Sequence, residues 1–144
     1  MWSDVPDPDI IRVGDFYYLV STTMHLMPGA PVMRSRDLVT WETVSYLFDE
    51  IHDTPRYDME TPEMTGNGAE GTNDGGIGFG EGNMALGTVY GRGQWATSLR
   101  YFNGTFWALH SANDAPHKSW LYKTDDPAKG WTLHARLPHY HDAS

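Results

Sequence analysis

No window of the chain carries a convincing apolar stripe at helical spacing. Its apolar residues come instead in short aromatic and β-branched runs bounded by turn residues. The clearest run is Phe16-Tyr17-Tyr18-Leu19-Val20-Ser21-Thr22-Thr23, which follows Gly14-Asp15, a pair suited to a hairpin turn. Asn103-Gly104 does the same ahead of Phe106-Trp107. Prolines and glycines, 9 and 15 of them, punctuate the chain too often for long helices. This pattern predicts strands over roughly 9–12, 16–22, 30–35 and 41–46, and again over 97–101, 105–111, 119–124 and 131–136.

The two groups of four say nearly the same thing. Gly14-Asp15-Phe16-Tyr17-Tyr18-Leu19-Val20-Ser21, Arg34-Ser35-Arg36-Asp37-Leu38 and Trp41 are matched by Asn103-Gly104-Thr105-Phe106-Trp107-Ala108-Leu109-His110-Ser111, Lys123-Thr124-Asp125-Asp126-Pro127 and Trp131. Four-stranded units repeated in sequence are expected to be blades of a β-propeller, an all-β architecture. Residues 1–58 would form a first blade and 88–144 a second, with Trp41, Trp107, Trp120 and Trp131 filling the core between them. A propeller typically needs about four to eight blades. A 144-residue chain with two is therefore expected to be a fragment, to complete a ring by self-association through its open blade edges, or to relax into two packed sheets.

Between the blades, residues 59–87 are rich in glycine and acidic side chains and are expected to form a flexible insertion. Asp74 and Glu81 could serve a calcium ion as oxygen ligands, but the spacing is not that of an EF-hand loop. His139 and His141 form a pair near the end of the chain with no third ligand identifiable nearby, so neither a metal nor another cofactor is expected. A net charge of −9 argues against nucleic acid and against an anionic membrane surface as partners, and leaves neutral ligands open. With no cysteine there are no disulfides and no thiolate chemistry, although the cellular compartment stays undecided. The opening residues carry no signal-peptide pattern, as would those of a processed precursor, and no stretch is long enough to span a bilayer.

Chemistry concentrates at the start of the first unit, where Asp4, Asp7 and Asp9 crowd around Pro6 and Pro8 ahead of a strand. The prolines fix their own φ and push the residues before them toward extended conformations, which would hold Asp7 between two rigid links. At that level of an innermost propeller strand a carboxylate faces the axial cavity and could act as a general base on water. Asp-Pro is also an ordinary turn signal, and Asp9 could be an edge polar residue.

Taken together, Asp7-Pro8-Asp9-Ile10-Ile11-Arg12, Ser21-Thr22-Thr23-Met24-His25, Pro28-Gly29-Ala30-Pro31 and Arg34-Ser35-Arg36-Asp37-Leu38-Val39-Thr40-Trp41-Glu42 closely resemble the opening of glycoside hydrolase family 43. Gly91-Arg92-Gly93-Gln94-Trp95-Ala96-Thr97-Ser98-Leu99-Arg100-Tyr101, followed by Asn103-Gly104-Thr105-Phe106-Trp107, looks like that family's second blade. The resemblance covers about residues 2–58 and 87–136. It implies a five-bladed propeller and inverting removal of xylose or arabinofuranose from plant cell-wall polysaccharides.

Within that resemblance Asp7 matches the general base, while Met24, His25, Arg92, Gln94 and Trp95 would line the sugar pocket. The family's third carboxylate has no good match. Ser98 and Ala112 stand where members carry it, and Asp114 is the nearest alternative, in Asn113-Asp114-Ala115-Pro116, which also reads as a turn. The family's acid, a glutamate in Glu-Gly-Pro, is absent, and Glu70-Gly71 and Glu81-Gly82 fall in the insertion. Two functions follow as alternatives: a carbohydrate hydrolase missing its acid, or a non-catalytic carbohydrate-binding or structural module. A calcium-dependent interaction protein is a third.

Overall fold

The computed structural model describes residues 4–24, 26–50, 94–112 and 118–138. The first sheet holds β1 (Asp9–Val13), β2 (Phe16–Val20), β3 (Gly29–Ser35) and β4 (Glu42–Phe48), in that order and antiparallel throughout. The second repeats the plan with β5 (Gln94–Phe102), β6 (Thr105–Ala112), β7 (Lys118–Thr124) and β8 (Thr132–Pro138). The proposed insertion, 59–87, lies outside the described residues, as do His139 and His141.

Turn chemistry explains the matching plans. Gly14 (φ 59°) and the Asn103-Gly104 pair (φ 49° and 80°) supply the left-handed backbone that tight hairpins between β1 and β2 and between β5 and β6 require. At the β3–β4 turn, Asp37 Oδ1 accepts from the Val39 and Thr40 amides at 2.9 and 2.7 Å, and the Ser35 hydroxyl donates to it at 3.0 Å. The Thr40 and Val39 amides lower the Asp37 carboxyl to about 2. The second repeat uses Asp126, whose Oδ1 accepts from the Ala128 amide at 3.0 Å and caps a 3₁₀ turn at Pro127–Lys129. Across the strand pair that the first turn closes, Arg34 donates to Glu42 Oε1 from Nε at 2.9 Å and from Nη2 at 2.6 Å.

The sheets pack face to face. Tyr18, Val20, Ala30, Val32, Leu47 and Phe48 meet Leu99, Phe106, Ala108 and Trp120 in one apolar cluster. Tyr18 sits edge-on to Phe106, centroids 4.9 Å apart, and Phe48 stacks on His110 at 4.3 Å. Two of the four tryptophans follow the expectation: Trp120 is buried in this core, and Trp131 packs against it while its indole N–H reaches Ser45 Oγ at 3.1 Å. The other two do not. Trp41 donates to the Leu38 carbonyl at 3.1 Å and closes its own hairpin. Trp107 alternates with Phe106 and Ala108 along β6, so it faces away from the first sheet, against His134 at 5.1 Å and Lys123 at 5.9 Å.

Candidate functional site

At one end of the two sheets, three short segments meet: residues 4–8 ahead of β1, residues 21–24 after β2, and the beginning of β5. Strand β2 ends at Val20, two residues before the predicted limit, because the next residues turn their hydrogen bonds away from the ladder. The Pro6 carbonyl accepts from the Ser21 hydroxyl at 2.7 Å and from the Thr22 amide at 3.1 Å. Thr22 Oγ1 accepts from the Ala96 amide at 3.0 Å, and Thr23 Oγ1 accepts from the Ala30 amide at 3.3 Å and from Gln94 Nε2 at 3.0 Å. The Met24 carbonyl accepts from the Gln94 amide at 2.9 Å, an isolated bridge that joins the two repeats. Ser21, Thr22, Gln94 and Thr97 are all buried, and satisfying their polar groups within this network keeps that burial affordable.

The same end concentrates unusual backbone. Asp7, Met24, Ala30 and Ala96 have φ of 46°, 54°, 52° and 44°, in a region that costs a non-glycine residue roughly 1–2 kcal/mol. The positive φ of Asp7 corrects the expectation that Pro8 would hold it extended. The clamped Pro6 carbonyl sets the peptide plane on the N-terminal side of Asp7, and aspartate tolerates the left-handed region better than most residues. Ala96 lies in an irregular stretch of β5, between Trp95 and Ser98, that shifts the strand's register against β6.

The sequence candidates fall as follows. Asp7 is exposed in the segment ahead of β1, and Met24 is 37% exposed where it bridges to Gln94. Gln94 is fully buried, its Nε2 on Thr23 and its Oε1 accepting from the Thr97 hydroxyl at 3.2 Å, so its amide is engaged within the network. Trp95 is half-buried next to it on β5. His25, Arg92 and Asp114, together with Glu70 and Glu81, lie outside the described residues. Ser98 lies on β5 opposite Leu109 and is nearly buried. Among the described residues no group of three or more histidine or acidic side chains is placed to hold a metal ion.

Two features escaped the sequence reading. Asp9 does more than solvate an edge: its Oδ2 accepts from the Leu99 amide at 2.8 Å and pairs with Arg100 Nη1, tying β1 to β5. Leu99 is wholly buried, and this bond satisfies an amide on the side of β5 that has no strand partner among the described residues. His110 is fully buried in a stack with Phe48, Trp120 and Tyr122, and neither ring nitrogen finds a hydrogen-bond partner among the described residues. Desolvation lowers its pKa to about 3, which keeps the ring neutral. Its place in the run Phe106, Ala108, His110 was the available signal, because those alternate positions share the inward face.

Residues 2–63 match the model of glycosyl hydrolases family 43. A β-xylosidase of Formosa agariphila is 30% identical over 105 residues, covering 73% of this chain and 14% of that protein. A non-reducing end α-L-arabinofuranosidase of Bacteroides ovatus is 33% identical over 104 residues, with 72% and 14% covered. Among solved structures, a bifunctional GH43-CE protein of Bacteroides eggerthii superimposes with a TM-score of 0.70 at 34% identity, covering 98% of this chain and 15% of that one. The chain thus spans about 14% of the length of these curated relatives. Its two sheets are blades of a β-propeller like those of its structural neighbours. The chain belongs to glycoside hydrolase family 43, of whose members it spans a part.

Proposed function

We propose that this chain carries the base-bearing part of an inverting glycoside hydrolase that removes xylose or arabinofuranose units from plant cell-wall polysaccharides. Asp7 takes the proton from a water molecule as that water attacks the anomeric carbon. A glutamate outside this chain protonates the departing oxygen from the opposite face, with the two carboxyls roughly 6.5–9.5 Å apart. Asp114 orients that acid. Met24, His25, Arg92 and Trp95 line the sugar pocket, with Gln94 as the buried brace of its wall. An aromatic face covers the apolar C–H surface of a sugar ring, and polar side chains take up its hydroxyls.

The observation that carries this reading is the setting of Asp7. It is an exposed carboxylate on a left-handed, proline-flanked loop whose preceding carbonyl receives two hydrogen bonds, at the end where Met24 and Gln94 join the blades. The relatives described as a β-xylosidase and an arabinofuranosidase support both sugars equally.

The test is nitrophenol release from nitrophenyl β-xyloside and α-L-arabinofuranoside by the complete hydrolase containing this chain, beside its Asp7→Asn variant. General base catalysis contributes about 10²–10⁴-fold, so Asp7→Asn should lower kcat by that factor while folding normally. Wild-type turnover by Asp7→Asn would show that another group is the base.

A further inference from the structure

Ser21, Thr22 and Thr23 stand out among the features that the proposed chemistry leaves unused. Their bonds converge on the strained backbone at one end of the blades. Ser21 Oγ and the Thr22 amide bind the carbonyl that precedes left-handed Asp7. Thr22 Oγ1 receives the amide of left-handed Ala96, and Thr23 Oγ1 receives the amide of left-handed Ala30. Met24, the next residue, is itself left-handed and bridges to Gln94. Three consecutive residues therefore hold the base loop, the start of β3 and the edge of the second blade in one arrangement. Such backbone persists only where its surroundings over-determine it, and it gathers where geometry serves function.

We infer that Ser21 and Thr22 are positioning residues for hydrolysis, acting through the Pro6 carbonyl and the Ala96 amide to hold the Asp7 carboxylate in register with the sugar-binding edge of β5. This rests on the reading of Asp7 as the base. The pair acts on one geometric variable. Residues 4–8 belong to the first blade and Gln94–Ala96 to the second, and Thr22 is bonded to both, through its amide on one side and its hydroxyl on the other. Without the hydroxyl, the two segments lose this direct connection, and the distance from base to sugar is held less tightly, by the Met24–Gln94, Thr23–Gln94 and Asp9–Leu99 bonds that remain. Displacing a reacting group by about 1 Å costs on the order of 10²-fold in rate, because attack needs a near-ideal approach of water to carbon. Substrate binding depends on many contacts and suffers less.

The experiment compares Thr22→Val, which keeps the shape and removes the hydroxyl, with Thr22→Ser, which keeps the hydroxyl. Both are made in the complete hydrolase, beside Ser21→Ala and Asp7→Asn. Turnover of the aryl glycosides is followed well below each variant's thermal transition. Thr22→Val should lower kcat by about 10–100-fold with KM within about threefold, and Thr22→Ser should return kcat to within about threefold of wild type. Ser21→Ala should lower kcat in the same way and carries the test if Thr22→Val does not fold. A purely structural role would lower the thermal transition in Thr22→Val and Ser21→Ala and leave the kcat of the folded enzyme unchanged. That result, alongside an inactive Asp7→Asn, would overturn the positioning strap of Ser21 and Thr22 alone. An equal kcat loss in Thr22→Ser and Thr22→Val would overturn it as well. Wild-type turnover by Asp7→Asn would instead overturn the base assignment and the strap with it.

Discussion

His110→Phe tests the packing between the blades most directly. The imidazole lies flat between Phe48 at 4.3 Å and Trp120 at 5.2 Å, with interplanar angles of 21° and 11°, so a phenyl ring can take the same stack. Burial holds the folded pKa at about 3 against an ordinary 6.5, and the unfolded chain therefore binds a proton that the folded chain refuses. With the folded value below the unfolded one, this contribution to stability is complete above the unfolded value and is lost as pH falls below it. Between about pH 7.5 and pH 5 the loss is on the order of 2 kcal/mol, from a slope of about 1.4 kcal/mol per pH unit for one proton. Asp37, lowered to about 2 from 3.8, is a depressed carboxyl whose stabilising contribution is lost mainly below this window. The variant also removes two unpaired ring nitrogens, worth about 1–3 kcal/mol, against a similar cost for fitting the larger ring. Its stability at neutral pH is thus expected near wild type, and the slope carries the test. Urea unfolding of both chains across the window should show wild type losing about 2 kcal/mol more than His110→Phe. Parallel decline of the two would refute a neutral, desolvated His110.

Gly29→Ala should destabilise the chain by about 1–3 kcal/mol in the same urea titration, because a β-carbon there would run into the Phe48 ring, which is itself pinned against His110. An unchanged midpoint would show that the ring moves aside freely. Asp9→Ala should cost about 1–3 kcal/mol by leaving the Leu99 amide unpaired, whereas Asp9→Asn keeps an acceptor and should cost less. Equal losses in the two variants would assign the effect to the Arg100 ion pair instead.

Most of the fold was legible because each strand is announced locally. The turns that separate the strands depend on residues with one evident use: glycine or asparagine where φ is positive, and aspartate where an acceptor must reach two amides. Strand β5 was read three residues short at its start because the register breaks between Trp95 and Ser98, and an irregular register leaves no periodic trace. Trp41 and Trp107 were misplaced for a different reason. Size and apolarity do not say which side of a sheet a ring occupies, whereas alternation with Phe106 and Ala108 does. Asp7 was found as a carboxylate, but its backbone was misjudged, because the proline rule is local and the bonds that set its φ come from Ser21 and Thr22, 14 and 15 positions away.

The two repeats show where such legibility stops. Both keep the acidic turn after their third strand, where Asp37 in one and Asp126 in the other accept from backbone amides of the turn. They part company after their second strand. In the second repeat Ser111 Oγ meets Ser119 Oγ at 2.6 Å, a bond between paired neighbours of one sheet. In the first, Ser21, Thr22 and Thr23 reach out of the sheet to residues 6, 94 and 96. Hydroxyl side chains thus pair strands within a blade at one place and couple the blades at another. That difference follows from the partners each hydroxyl meets in space, and no spacing within either repeat encodes it. On the proposed reading of Asp7 as the base, Ser21 and Thr22, rather than the repeated turns, are where substitution should separate catalysis from folding.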